Sequence, residues 1–236
     1  MSKRISRFIG IDLSDPFAKH KRTCTRAILR ADFYCTFDDW EYDSTGSAIL
    51  PLEAAHLPYI VAIDGPQGLA GSPNRGMRLC ERQLGAAGKS TYDFRPIDQP
   101  YAGFVCGSVR LFYSLYKTRN FQLHRTQKVR SSEIKLIEVY PGSAWIVLAG
   151  CRLKKKTLLE GRMARYKLLL RCGVSFPQEY SIEMPPTHDQ LDAAVAAYIA
   201  YLFNSGETRD YGEDPFEDAN VGILREGLIV QPVSTC

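Results

Sequence analysis

The chain has 236 residues, of which 45% are hydrophobic and 24% charged, with a formal net charge of +4. That is ordinary composition for a globular protein, long enough for one large domain or two small ones without a disulfide or metal staple. So small a positive excess permits a nucleic-acid partner without arguing for one. No apolar run approaches the ~20 residues that span a bilayer, so no membrane partner is expected. Seven scattered cysteines, none in a Cys-x-x-Cys pair, read as reduced thiols. The basic start, Met1 to Arg7, lacks the apolar core of a signal peptide. Both features place the protein in the cytoplasm as an expectation.

In chain order, residues 8–13 predict a first strand, with Ile9, Ile11 and Leu13 on one face and Phe8, Gly10 and Asp12 on the other. Residues 24–37 predict a second strand and 40–49 a third, forming a meander. Residues 59–64 are continuously apolar up to Asp64, as in a buried strand. A helix follows Pro73, carries Met77, Leu79, Cys80 and Leu84, and stops near Gly85 or Gly88. Residues 89–105 read as a loop, 106–118 as a helix and 119–132 as a polar, basic stretch. Residues 134–140 read as a strand, followed by a short helix after Pro141. A basic amphipathic helix is expected over 157–172, and an Ala-rich one over 187–203 with Thr187 as N-cap. An acidic stretch, Glu213 to Asp218, precedes a strand-like Gly227 to Val230. This order predicts a single α/β domain over 1–236, a mixed sheet flanked by helices, with 65–132 as an elaboration.

Three strand-like runs each carry an acid at or near the end: Asp12, Asp64 and Glu138. An ionised acid in a half-buried place is costly unless it is paired or bound to a cation. Strand ends are where open α/β sheets bind ligands, and neighbouring strands lie ~4.8 Å apart. Acids at matching heights can therefore share a cation, and oxygen-only donors favour Mg²⁺ or Mn²⁺. Asp189 and Asp192, three apart at the start of the last helix, face the same way. Asp192 runs into the apolar stretch Ala193 to Val195, so it is the better candidate to point inward; Asp189 also suits a simple dipole partner.

Five motifs occur in order: Gly10-Ile11-Asp12-Leu13-Ser14, Ala62-Ile63-Asp64-Gly65-Pro66-Gln67-Gly68-Leu69, Arg78-Leu79-Cys80-Glu81-Arg82, Glu138-Val139-Tyr140-Pro141 and His188-Asp189-Gln190-Leu191-Asp192-Ala193-Ala194. Together they resemble the predicted nucleases of ribonuclease H-like fold grouped as domain-of-unknown-function family 429, over residues 8 to about 205. The resemblance implies a mixed sheet whose first three strands are antiparallel. It also implies an acidic cluster at Asp12, Asp64 and Asp192, with Glu138 and Asp189 nearby.

The function expected is a metal-dependent nuclease acting on DNA or RNA through a two-metal carboxylate site. Asp12 would bridge the ions, Asp64 and Asp192 would complete the shells, and Glu138 or Asp189 would bind or orient the water. Arg75, Arg78 and Arg82 share one helix face and are the expected phosphate contacts. The aromatics between Tyr92 and Tyr116 could stack bases or form core. The basic runs His124 to Arg130 and Arg152 to Lys156 could follow a phosphate backbone or lie solvated. Two alternatives are a non-catalytic module of the same fold and an ATP-binding relative of actin and sugar kinases. The latter is disfavoured by the short chain and by Gly65-Pro66-Gln67-Gly68, a poor phosphate loop.

Overall fold

Strand β1 (Arg7–Asp12) is the axis of the molecule. The structure, a computed structural model, describes residues 7–19, 23–50, 59–86, 89–118, 120–126 and 134–235. On one side of β1 run β2 (Cys24–Arg30) and then β3 (Cys35–Trp40), each antiparallel to its neighbour, as expected. On the other side β4 (Tyr59–Asp64) pairs in parallel, followed by β6 (Ile134–Val139), also parallel. The hairpin of β7 (Thr208–Asp218) and β8 (Ile223–Pro232) closes the order β3-β2-β1-β4-β6-β8-β7, and the short β5 (Phe121–Leu123) pairs with β6.

Alternation along the strands assigns their faces. Phe8, Ile60, Ala62, Ile137 and Val139 join one core with helices α3 (Pro141–Ala149), α4 (Leu159–Arg171) and α5 (His188–Ser205). Ile9, Ile11, Val61, Ile63 and Leu136 join the other, covered by α2 (Ala102–Lys117) through Leu111, Phe112 and Leu115. Each fully buried Val, Leu, Ile or Phe among them contributes about 1.5–3 kcal/mol of transfer free energy. The 65–132 stretch is therefore more than decoration, because its helix α2 covers half the sheet.

Helix α5 lies directly on the strands. A Cβ at Gly10 would stand 2.0 Å from the Ala193 carbonyl oxygen and 2.3 Å from the Ala197 nitrogen. The run Ala193, Ala194, Ala196, Ala197 lets the helix backbone approach that closely. Thr187 caps α5 as expected: its hydroxyl accepts from Gln190 N, and Gln190 Oε1 accepts from Thr187 N at 2.9 Å.

Four local expectations are corrected. The strand expected over 24–37 is two strands, broken by a turn in which Phe33 adopts φ 63° and its N–H bonds back to Arg30. The strand expected over 40–49 is a series of turns, because the Asp43 carboxylate accepts from Thr45 N and Ser47 N and competes with any ladder. The helix expected after Pro73 begins only at Leu79, as α1 (Leu79–Leu84). The acidic stretch 213–218 is part of edge strand β7, where charges suit an unpaired edge. The thiol expectation also changes: Cys172 is disulfide-bonded, while Cys24, Cys35, Cys80, Cys106 and Cys151 are free. Among the described residues no helix is long and apolar enough to cross a membrane.

Candidate functional site

Asp12 and Asp64 are the last residues of neighbouring parallel strands and stand directly in register. Phe8 and Gly10 below Asp12, and Ile60 and Ala62 below Asp64, fix both carboxylates on the α5 face. That face opens at the strand ends into a cleft of about 1150 Å³. Asp12, Asp64, Asp189, Asp192, Lys156 and Arg165 line it together. Thr25 and Asp39, the register partners of Asp12 across β2 and β3, extend the same wall.

The two strand-end acids are half-buried and crowd each other. Burial, then the charges of Asp64, Asp192 and Asp189, push the Asp12 carboxyl well above its ordinary range, against the pull of Lys156. Burial, then the charges of Asp192 and Glu138, push Asp64 up to about 8, with Lys156 and a hydrogen bond from Asp12 pulling the other way. Each carboxyl is therefore harder to ionise than an isolated one, and the two titrate as a unit. A cation placed between the two oxygens would favour their ionised forms.

Asp192 enters from α5, buried to 3% exposure. Its Oδ1 accepts from Trp145 Nε1 at 2.7 Å, and its Oδ2 lies 2.5 Å from Lys156 Nζ. Burial works against the Lys156 ammonium, yet Asp192, Asp12 and Asp64 hold it charged, above its ordinary range. The protein thus brings its own cation to the acidic set. Asp189 faces the cleft half-exposed, with His188 Nδ1 2.7 Å from its Oδ1. Among the described residues no group of three or more His, Cys, Asp or Glu side chains stands ready to hold a metal ion. The Asp12–Asp64 pair nevertheless suits a hard cation of the Mg²⁺ type, which commonly takes one or two carboxylates and completes its shell with water and substrate oxygens.

Glu138 lines the same cleft, but from the other face of the sheet. It pairs in register with Ile63, so it points to the α2 face, opposite to Asp12 and Asp64. There it accepts from Arg78 Nη1 at 2.8 Å, Arg78 Nη2 at 2.6 Å and Gln67 N at 2.9 Å. Burial raises its carboxyl against the pull of Arg78. Arg78, expected to hold phosphate, is 1% exposed, and its Nε binds Glu81 at 2.9 Å. Glu81 Oε2 in turn accepts from Ser90 N. This network ties α1 to β6 and leaves the guanidinium no free face. Arg75 pairs with Glu213 and Glu226 away from the cleft, and Arg82 is exposed on α1, also away from it.

Phe112 and Tyr116 are core, while the exposed Tyr101 and the half-buried Phe104 reach the cleft rim. His124 and Arg125 are paired with Asp210, and residues 127–130 of that basic run lie outside the described residues. The residues that the sequence did not single out are Trp145 and Arg165. Their signal is faint: a tryptophan and an arginine on helices flanking a basic run.

Residues 108–217 match a family described as protein of unknown function (DUF429), the grouping that the motifs resemble. That stretch carries Lys156, Arg165, Asp189 and Asp192, and the strand-end pair lies outside it. No curated protein and no solved structure matches the chain.

Proposed function

We propose that the protein is a metal-dependent hydrolase of phosphodiester bonds in nucleic acid, built on a ribonuclease H-like sheet. The observation that carries this reading is the in-register pair Asp12–Asp64 at the cleft, both carboxyls raised by burial and by neighbouring charge. Strand-end acids in register, neither in an ion pair among the described residues, favour a cation site over a fold device. The central strand order β3-β2-β1-β4-β6, in which only β2 runs against the others, supports the ribonuclease H-like reading.

Asp12 and Asp64 would hold Mg²⁺ or Mn²⁺. When bound, such an ion polarises a phosphoryl oxygen and makes its water a stronger acid. The remaining residues prepare the site. Asp192, fixed by the Trp145 indole, holds the Lys156 ammonium beside the pair, where it offsets negative charge. The cleft walls on α3, α4 and α5 hold these groups on rigid elements.

The test is a cleavage panel of labelled single- and double-stranded DNA and RNA with Mg²⁺ or Mn²⁺. Asp12→Asn is expected to fold normally and to lose at least ~10³-fold in turnover, about 4 kcal/mol of transition-state stabilisation. Unchanged turnover in that variant would eliminate the site. A second reading, a non-catalytic module of the same fold, draws on the Lys156–Asp192 pair, since an internal ammonium makes the acids tolerable without metal. Calorimetry separates the two readings: a protein that binds no Mn²⁺ at millimolar concentration supports the second.

A further inference from the structure

Arg165 on α4 is 8% exposed and lines the cleft that holds Asp12 and Asp64. Its Nη1 donates to the carbonyls of Lys154 at 2.9 Å and Gly161 at 2.8 Å. Its Nε is buried with no hydrogen-bond partner. No carboxylate among the described residues forms an ion pair with it; the nearest charge it feels, Asp192, is already bound by Lys156 and Trp145. The guanidinium also lies 5.6 Å from the Trp145 ring centre. A buried guanidinium without a carboxylate is costly, and the other buried arginines, Arg26, Arg78 and Arg225, each have one. Arg165 is the exception, and it sits on the wall of the cleft.

We propose that Arg165, with Lys156 beside it, is the subsite that receives a phosphate of the substrate and presents it to the Asp12–Asp64 pair. A guanidinium recognises phosphate through a planar fork of N–H donors, which an ammonium cannot match. The expected substrate is a polyanion rather than a lone phosphomonoester, because exposed Arg152 and Lys155 precede Lys156 in the chain, beside a Lys154 already paired with Glu160. This assignment rests on the phosphodiesterase reading and moves the phosphate contact from α1 to α4.

The experiment measures binding of fluorescent 20-residue DNA and RNA strands and duplexes, in chelator, as a function of salt, for the wild type and for Arg165→Gln and Arg165→Lys. Cleavage in Mn²⁺ is measured on the same proteins. Gln removes the charge and ends two atoms short of the Nη1 contacts to the Lys154 and Gly161 carbonyls, whereas Lys keeps the charge, so the two variants separate charge from backbone support. The expected result is that Arg165→Gln folds, with a melting temperature no lower than that of Arg165→Lys, and still binds Mn²⁺. It loses roughly tenfold or more in affinity, and its salt slope falls by about 0.7–0.9, the contribution of one phosphate contact. Arg165→Lys restores the slope but not the full affinity. A folded Arg165→Gln with the wild-type slope overturns the assignment, as does failure of that variant to fold, which would make the guanidinium a staple for the 154–161 backbone. A wild-type protein that cleaves and binds none of the probes removes the phosphodiesterase reading itself, a result distinct from either.

Discussion

At the scale of single residues, spacing and environment give different answers for the same arginine. Arg75, Arg78 and Arg82 fall on one helix face by spacing, yet Arg78 is the centre of a buried network with Glu81 and Glu138. Removing one partner of a buried ion pair leaves an uncompensated charge, whereas an exposed arginine contributes little. Arg78→Met is therefore expected to lose about 3–5 kcal/mol of stability by urea unfolding, from two stranded carboxylates. Arg82→Ala should change stability by no more than about 0.5 kcal/mol. If both variants unfold at the wild-type midpoint, the network has no structural role. Glu138 follows Arg78: one residue of strand register sends it to the sheet face opposite the acids with which it was grouped.

Among the elements, the contact of α5 with β1 decides the geometry of the site. Gly10 is small because the α5 backbone occupies the space of its missing side chain. Gly10→Ala is expected to cost about 3 kcal/mol or more, since the atoms that must yield are backbone on both sides. The same shift would carry Asp192 and its bound Lys156 away from Asp12. Mn²⁺ affinity should fall along with the unfolding midpoint, and calorimetry on the folded variant checks this. Affinity unchanged in a destabilised Gly10→Ala would show that α5 is not needed to set the cation site. The broken second strand and the turns at 41–50 belong to this scale too. Short polar residues such as Asp43 satisfy their neighbours' N–H groups locally, and a β-rich composition does not reveal that competition.

For the molecule as a whole, the crowded pair predicts how stability follows pH. The folded-state carboxyl pKa values of Asp12 and Asp64 are raised above those of the unfolded chain. Their contribution is therefore fully present below the ordinary carboxylate range and is lost as pH rises toward about 8, the value for Asp64. The melting temperature should decline over that window. Asp64→Asn should flatten the decline and raise stability near pH 8 by about 1–2 kcal/mol, a figure reduced for solvent access to the cleft. Mn²⁺ should restore the wild type at high pH by mass action, about 2.7 kcal/mol at a hundred times its Kd, and should have little effect on Asp64→Asn. Differential scanning calorimetry across pH, with and without Mn²⁺, reads all three. A pH-independent melting temperature would mean that the pair is not crowded.

The sequence by itself determined what is local. Apolar runs placed β1, β4 and β6, with face alternation in β1 and continuous apolar character in β4, and turn residues after Asp12 and Asp64 marked strand ends. Thr187 as an N-cap residue located the start of α5, and the apolar stretch after Asp192 marked it as inward-facing. These follow from chain neighbours alone, because pleat, helical repeat and capping operate over a few residues. Only the tertiary structure decided what depends on residues far apart in the chain. Arg78 meets Glu138 across 60 positions and Lys156 meets Asp192 across 36. Among the described residues Arg165 forms no ion pair with a carboxylate on the cleft wall. A charge on a surface helix and a charge in a buried pair have the same sequence signature; desolvation and the nearest opposite charge separate them, and both are set by the fold.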